Sequence, residues 1–511
     1  MIRSIFTVGG WTLLSRLTGF VRDMVMAAVL GAGPLADAFY IAFRLPNHFR
    51  SIFAEGAFNT AFIPAYARVK TVEGDARAKR FADGILTAVV LVQLAILALA
   101  LMATDWVVAT LAPGLSDDPE RFGLTVDFTR ITFPYLGLIA VVTLVGGVLN
   151  ANDRFWAAAA ASILLNVAMV GTLSVAGLFP TAGHAAAWGV LISGFLQLGL
   201  LVFDAERHGL GLRFGRPKLD PEMRAFLIAL GPAIIGSAGV QLAIFADTII
   251  ASFLPQGAVA ALFYADRINQ LPIGVVGIAA GIVLLPEMSR RIAAEDFDGA
   301  RHAQSRAIEL TLLLVLPFLA AALVIPEIIM RGLFLRGAFT GEAAAAAGAT
   351  LAAYGIGLAP FVVTRAFMSP FYARGDTRTP VMATLGAAVI NILLKILLMD
   401  QFAQVGLAFA TSVGGWITVI VLAVLARWRG YECGDAQLLR SLPKLALICA
   451  ALAAVLWMSA VFGTPLVASF AHGRDEALLA LCVVAGGAVY AGLVLVLLGP
   501  RYLRSLLRGR P

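Results

Sequence analysis

Charge is scarce in this sequence. Only 14% of its 511 residues are Asp, Glu, Lys or Arg, against about a quarter in a soluble globular domain, which excludes a water-facing fold of this size. No stretch is long and polar enough to form a separate soluble domain. Cysteine is scarcer still: Cys433, Cys449 and Cys482 lie far apart with no CxxC, so neither a disulfide framework nor a thiolate metal site is supported. Enzyme signatures are missing too. There is no HExxH, no GxSxG, no Walker A loop and no carboxylate pair suited to hydrolysis, and the five histidines suggest no site. The chain reads as a non-enzyme without a cofactor. A cleavable signal peptide is not expected, because Arg16 breaks the apolar N-terminal run and no small-residue cleavage site follows.

What is abundant is apolar surface. Hydrophobic residues make up 60% of the chain and the mean hydropathy is +0.89. Fifty glycines and 22 prolines sit within the apolar runs, as membrane helices tolerate. A bilayer-crossing helix needs about 20 mostly apolar residues. Such segments fall at 5–30, 36–60, 83–111, 125–149, 155–178, 185–205, 222–254, 258–287, 309–330, 343–372, 380–399, 405–426, 445–463 and 477–499. The expectation is an all-α polytopic membrane protein with 14 transmembrane helices.

The basic residues orient it. Of 38 Lys and Arg, 26 lie at the N-terminus, in loops after even-numbered spans (counting Arg224 at the edge of span 7) or in the C-terminal tail, and four lie in loops after odd-numbered spans. That asymmetry predicts both termini on the cytoplasmic side. It also accounts for the net charge of +7 without invoking nucleic acid.

The two halves repeat each other at offsets of 222–226 residues. Phe39-Tyr40 returns as Phe263-Tyr264, Pro64 as Pro286, Pro134 as Pro360, and Asn166 as Asn391. Asn152-Asp153-Arg154 matches Gly375-Asp376-Thr377-Arg378, Asp23 falls opposite Asp247, and Arg44 falls opposite Arg267 within one residue. Six spans per repeat give both halves the same topology, and such repeats hold substrate in a central cavity between two lobes. The expected division is 1–218 (spans 1–6), 219–430 (spans 7–12), and 431–511 (spans 13–14 with a basic tail).

Arg16, Arg22, Arg44, Arg50 and Arg267 interrupt the spans. Each costs about 2.5–3.5 kcal/mol at the bilayer centre, so they are expected to face a wet cavity or acidic partners. The carboxylates at hand are Asp23, Asp37, Glu55 and Asp266. Arg16 and Asp23, seven apart, share a helix face, whereas Arg22 points elsewhere. Any single arginine can be explained by snorkelling or by a carboxylate partner. Together they favour an anionic substrate, because planar, always-charged guanidinium matches phosphate oxygens bidentately.

Several motifs then align with one family. Ser15-Arg16-Leu17-Thr18-Gly19-Phe20-Val21-Arg22-Asp23, Phe43-Arg44-Leu45-Pro46-Asn47, Phe53-Ala54-Glu55-Gly56-Ala57-Phe58 and Tyr264-Ala265-Asp266-Arg267 resemble the MurJ (MviN) lipid II flippases. So do Arg336-Gly337-Ala338-Phe339-Thr340 and the turn from Phe371 to Pro380. The resemblance covers spans 1–12 in order, while spans 13 and 14 match in position only. It implies the multidrug/oligosaccharidyl-lipid/polysaccharide (MOP) exporter fold and a bacterial inner-membrane flippase of peptidoglycan biosynthesis, important for cell wall and cell shape. That flippase moves lipid II to the periplasmic leaflet by alternating access. The implied partners are lipid II, membrane lipids and other cell-wall synthesis proteins. The resemblance implies that Arg16, Arg22, Arg50 and Arg267 engage the diphosphate and headgroup, and that Asp23, Asp37 and Glu55 tune the cavity or its gating. Asp266 joins these as a cavity carboxylate. It also implies an apolar groove for the polyprenyl tail on spans 13 and 14.

Some members of that family hold sodium in the C-terminal lobe. Asp247, Asn391 and Thr411 fit three of the positions, but the fourth is Lys395, one turn after Asn391. The expectation is that Lys395 pairs with Asp247 as a tethered cation in place of the ion; the competing reading is that it snorkels, and monovalent-cation coupling stays open. The rival functions are another lipid-linked oligosaccharide flippase or a cation-coupled drug exporter of the same superfamily, and a non-transporting membrane scaffold. A drug exporter favours carboxylates and aromatics over this basic set, and a scaffold has no need of buried arginines.

Overall fold

The computed structural model describes residues 2–50, 58–431, 434–470 and 473–499. Among the described residues there are helices, turns and bends but no strand, and nine helical stretches are long and apolar enough to cross a membrane. One of these, Arg378–Trp428, is two helices joined at Ala403, whose φ of 44° breaks the helical path. The four other segments expected to span are also helical but carry charges or breaks: Ile2–Leu30, Pro34–Arg50 followed by Phe58–Glu73, Pro221–Ser252, and Ala258–Ala293. The fold is therefore an all-α polytopic membrane fold.

The chain forms two compact units, Met1–Val259 with Arg336–Phe339, and Ala260–Leu335 with Thr340–Pro511. The first holds α1 (Ile2–Leu30), α2 (Pro34–Arg50), α3 (Phe58–Glu73), α4 (Asp75–Met102), α5 (Thr104–Leu111), α6 (Pro119–Thr132), α7 (Pro134–Ala151), α8 (Trp156–Ser174), α9 (Ala182–Arg207) and α10 (Pro221–Ser252). Its starts are written locally. Asp118 and Asp220 each accept a backbone N–H three residues on, from Arg121 at 3.2 Å and Met223 at 2.9 Å, and each precedes a proline that lacks the N–H a helix start leaves unpaired. Phe58, Phe62, Phe81 and Phe226 pack as stacked and edge-on rings that join α3, α4 and α10. Lipid offers apolar helices no hydrophobic reason to associate, so close packing decides. At Gly189 a Cβ would stand 2.5 Å from Thr172 Oγ1 and 2.9 Å from Met169 Cα, so α8 and α9 approach as only glycine permits.

The second unit contains α11 (Ala258–Pro272), α12 (Ile278–Ala293), α13 (Phe297–Val324), α14 (Pro326–Phe334), α15 (Gly341–Gly355), α16 (Leu358–Tyr372), α17 (Arg378–Trp428), α18 (Ala436–Val467) and α19 (Arg474–Leu497). A π-helical turn, Ile273–Gly277, separates α11 from α12 after Pro272. The two C-terminal helices are fastened at both ends. Asp435 caps α18 through Leu438 N–H at 2.7 Å and accepts Arg306 and His302 of α13 at 3.1 and 2.9 Å. At the other end Arg331 of α14 donates to Asp475 of α19 at 2.9 Å.

The repeat is visible in the backbone. Four positive-φ turns recur 221 to 226 positions apart: Gly31 and Gly257, Gly74 and Glu295, Asp153 and Gly375, Gly209 and Gly430. The long third span of each half also breaks at equivalent places, after α4 at Ala103 and after α13 at Ile325. The compact units divide elsewhere than the repeat does, because α10, the first helix of the second repeat, packs on α3, α2 and α4.

Candidate functional site

Arg22 and Asp23, neighbours on α1, are almost fully buried, at 4% and 0% exposure. The Arg22 Nε and Nη2 groups donate to one oxygen of Asp23 at 3.0 and 2.7 Å, and Nη1 donates to Asn166 Oδ1 of α8 at 3.0 Å. Helical spacing put Asp23 on the face of Arg16 and Arg22 on another, yet it is Arg22 that bonds Asp23. The Arg22 stem is long enough to fold back on its neighbour, whereas Arg16 stands exposed on α1. A guanidinium has five donors. Three are engaged here, and two N–H groups make no further hydrogen bond among the described residues.

A second cluster surrounds Asp37 in the first turn of α2. Its carboxylate, fully buried, accepts the Gly257 backbone N–H at 2.6 Å and faces Arg121 Nη1 at 3.4 Å. Arg121 also donates to Asp118 at 2.8 Å and reaches the Leu254 carbonyl at 3.4 Å. Gln256 closes the ring on Asp118 at 3.0 Å. The Gln256 carboxamide, then the Arg121 backbone N–H and guanidinium, hold the Asp118 carboxyl below its ordinary range. Sequence reasoning counted Arg121 as an ordinary loop residue. Its spacing of three from the helix-starting Asp118-Pro119 pair was the available signal.

On α11, Arg267 is half-buried and lies over the Phe263 ring at 5.6 Å, and Asp266 accepts Gln270 one turn on. Arg44 is half-buried and donates to Thr248 Oγ1 at 3.4 Å. On α17, Lys395 is buried at 4% exposure and Asn391, one turn before it, is half-buried. A Cβ on Gly414, in the returning arm of α17, would stand 3.2 Å from Asn391 Cβ. Thr411, one turn before Gly414, is half-buried and bonds the Leu407 carbonyl at 2.9 Å. Asp247 is half-buried on α10. Glu55 lies outside the described residues, as does the side chain of Arg50.

Solved structures share this architecture. A structure described as lipid II flippase MurJ in an inward closed conformation has a TM-score of 0.80 at 22% identity, covering 97% of this chain and 99% of its own. A multidrug resistance MATE family transporter of the MOP superfamily reaches 0.66 at 15% identity, over 81% and 94%. The chain shares the multi-pass, all-helical membrane fold of these structures.

Sequence similarity narrows the class. The family model for lipid II flippase MurJ matches residues 26–473. A probable lipid II flippase MurJ of Rhizobium meliloti (strain 1021) is 42% identical over 466 residues, 90% of this chain and 86% of its own. A lipid II flippase MurJ of Burkholderia cenocepacia is 32% identical over 505 residues, 97% of each. The chain belongs to the MurJ lipid II flippase family.

Proposed function

We propose that this protein moves lipid II across the bacterial inner membrane, from the cytoplasmic to the periplasmic leaflet, with both termini in the cytoplasm. The observation that carries the reading is the family match along nearly the whole chain. Arg22, with two donors to spare in a buried setting, supplies the chemistry a diphosphate asks for. Arg16, Arg50 and Arg267 complete the cationic set, and Asp23, Asp37, Glu55 and Asp266 tune its charge. The headgroup enters while the tail remains in lipid, and alternation of the two repeat halves changes the side to which it is released. Membrane potential biases that step by about 2.3 kcal/mol per charge per 100 mV.

The test is transfer of lipid II between the leaflets of proteoliposomes containing the full chain. Arg22→Ala and Arg267→Ala should cut transfer at least tenfold at low lipid II content, through a raised KM, at unchanged protein abundance. Transfer retained in both variants would refute the anion-binding role, and a drug exporter would move cationic dyes instead.

A further inference from the structure

We propose that Asn166 is a positioning residue that holds Arg22 ready for the anionic headgroup without adding negative charge beside it. The proposal rests on the reading of Arg22 as a headgroup contact, and concerns what makes that arginine usable.

Asn166 is buried at 5% exposure on α8 and grips α1 over two turns. Its Oδ1 accepts Arg22 Nη1 at 3.0 Å, while its Nδ2 donates to the Ser15 carbonyl at 3.1 Å and to Thr18 Oγ1 at 3.0 Å. One carboxamide therefore fixes the rotation of α1 at positions 15, 18 and 22. Gly19 lies directly beneath the carboxamide, where an added Cβ would touch Asn166 Nδ2 at 3.6 Å, an ordinary contact distance.

The chemical identity matters as much as the position. Arg22 already faces the Asp23 carboxylate, and a neutral carboxamide on its third donor adds no charge to that group. An aspartate at position 166 would be nearly isosteric and would hold the guanidinium more strongly, but it would add one negative charge where a diphosphate must approach. It would also lose both donors to α1. A purely structural asparagine would be sensitive to lost packing and lost hydrogen bonds, whereas a positioning asparagine is sensitive to charge through Arg22.

The experiment measures initial rates of lipid II transfer against lipid II content in proteoliposomes of the full chain, with melting temperatures in detergent for every variant. Asn166→Asp should raise KM at least tenfold, the scale of one charge-assisted hydrogen bond, with kcat little changed. Asn166→Ser, neutral and smaller, should raise KM only a few-fold, even where it melts no higher than Asn166→Asp. Combining Asn166→Asp with Arg22→Ala should add no further rise in KM over Arg22→Ala alone. An unchanged KM in Asn166→Asp, an additive double variant, or losses that simply follow melting temperature would each overturn the proposal while leaving Arg22 as a headgroup contact. If Arg22→Ala itself leaves KM unchanged, the reading beneath the proposal falls, and the proposal with it.

Discussion

Gly257 donates its backbone N–H to the buried carboxylate of Asp37 at 2.6 Å, so the segment leading into α11 is hydrogen-bonded to the start of α2, some 220 residues earlier in the chain. Arg121 joins the same carboxylate from α6. Asp37 is therefore a junction of three chain segments.

That junction makes a stability prediction. Removing one member of a buried ion pair costs about 3–5 kcal/mol, because the other charge is left uncompensated. Asp37→Asn should lower the melting temperature of the purified protein clearly, although Asn can still accept from Gly257. Arg121→Met added to it should cost less than the two single losses summed, since the Asp37–Arg121 pair is already broken, although Asp118 then loses its guanidinium partner. A double variant as unstable as the sum of the singles would show that the two side chains are not coupled.

Two glycines of the family motifs should respond differently to the same substitution. Gly337 has φ of 57° and its added Cβ would meet the Ala28 carbonyl oxygen at 2.2 Å, where the loop Arg336–Phe339 bonds α1 through Ala338 N–H at 2.8 Å. Gly375 has φ of 75° with nothing within 4 Å of the added carbon. Gly375→Ala should cost only the backbone penalty, about 1–2 kcal/mol. Gly337→Ala should cost distinctly more, because the clash is with backbone. Equal melting temperatures for the two would count against the docking of that loop.

Much of this was legible in the residues. Membrane-length apolar runs predicted the helices, and the 222–226 offset anticipated the matching positive-φ turns and span breaks. The breaks themselves were partly hidden: Pro134 and Pro326 mark two of them, but Ala103 breaks its span with no proline or glycine to announce it. The partners of the charged groups were the least legible. Helical periodicity put Asp23 on the face of Arg16, yet side-chain length let Arg22 reach it, and the long-range partners Asn166, Arg121 and Gly257 follow from tertiary packing that local spacing does not encode.

The turn between α16 and α17 should be acid-sensitive. The side chain and backbone N–H of Thr379, and then the Arg429 guanidinium, hold the Asp376 carboxyl below its ordinary value. A depressed pKa stabilises the folded state fully above the unfolded value of about 3.9, and the benefit is lost as pH falls through the lower folded value. Wild-type melting temperature should therefore hold to about pH 4 and fall below it. Asp376→Asn should be less stable near neutral pH and should show a shallower fall. A parallel acid limb in the variant would assign that limb to other carboxylates.

Lys395 offers the test of how the transport cycle is driven. Its ammonium stem is buried on α17, one turn from Asn391 and in the same hairpin as Thr411, which argues against a residue that reaches for the interface. A fixed positive charge there disfavours a bound sodium ion, since two like charges within one helical turn repel in a medium of low dielectric. Lipid II transfer at constant membrane potential should accordingly be indifferent to replacing sodium with potassium. Lys395→Asp places a carboxylate one turn from Asn391 and should make transfer depend on sodium, at a reduced maximal rate. Lys395→Met should lower the rate without creating that dependence. Wild-type transfer that rises steeply with sodium would show that the ammonium is not standing in for an ion.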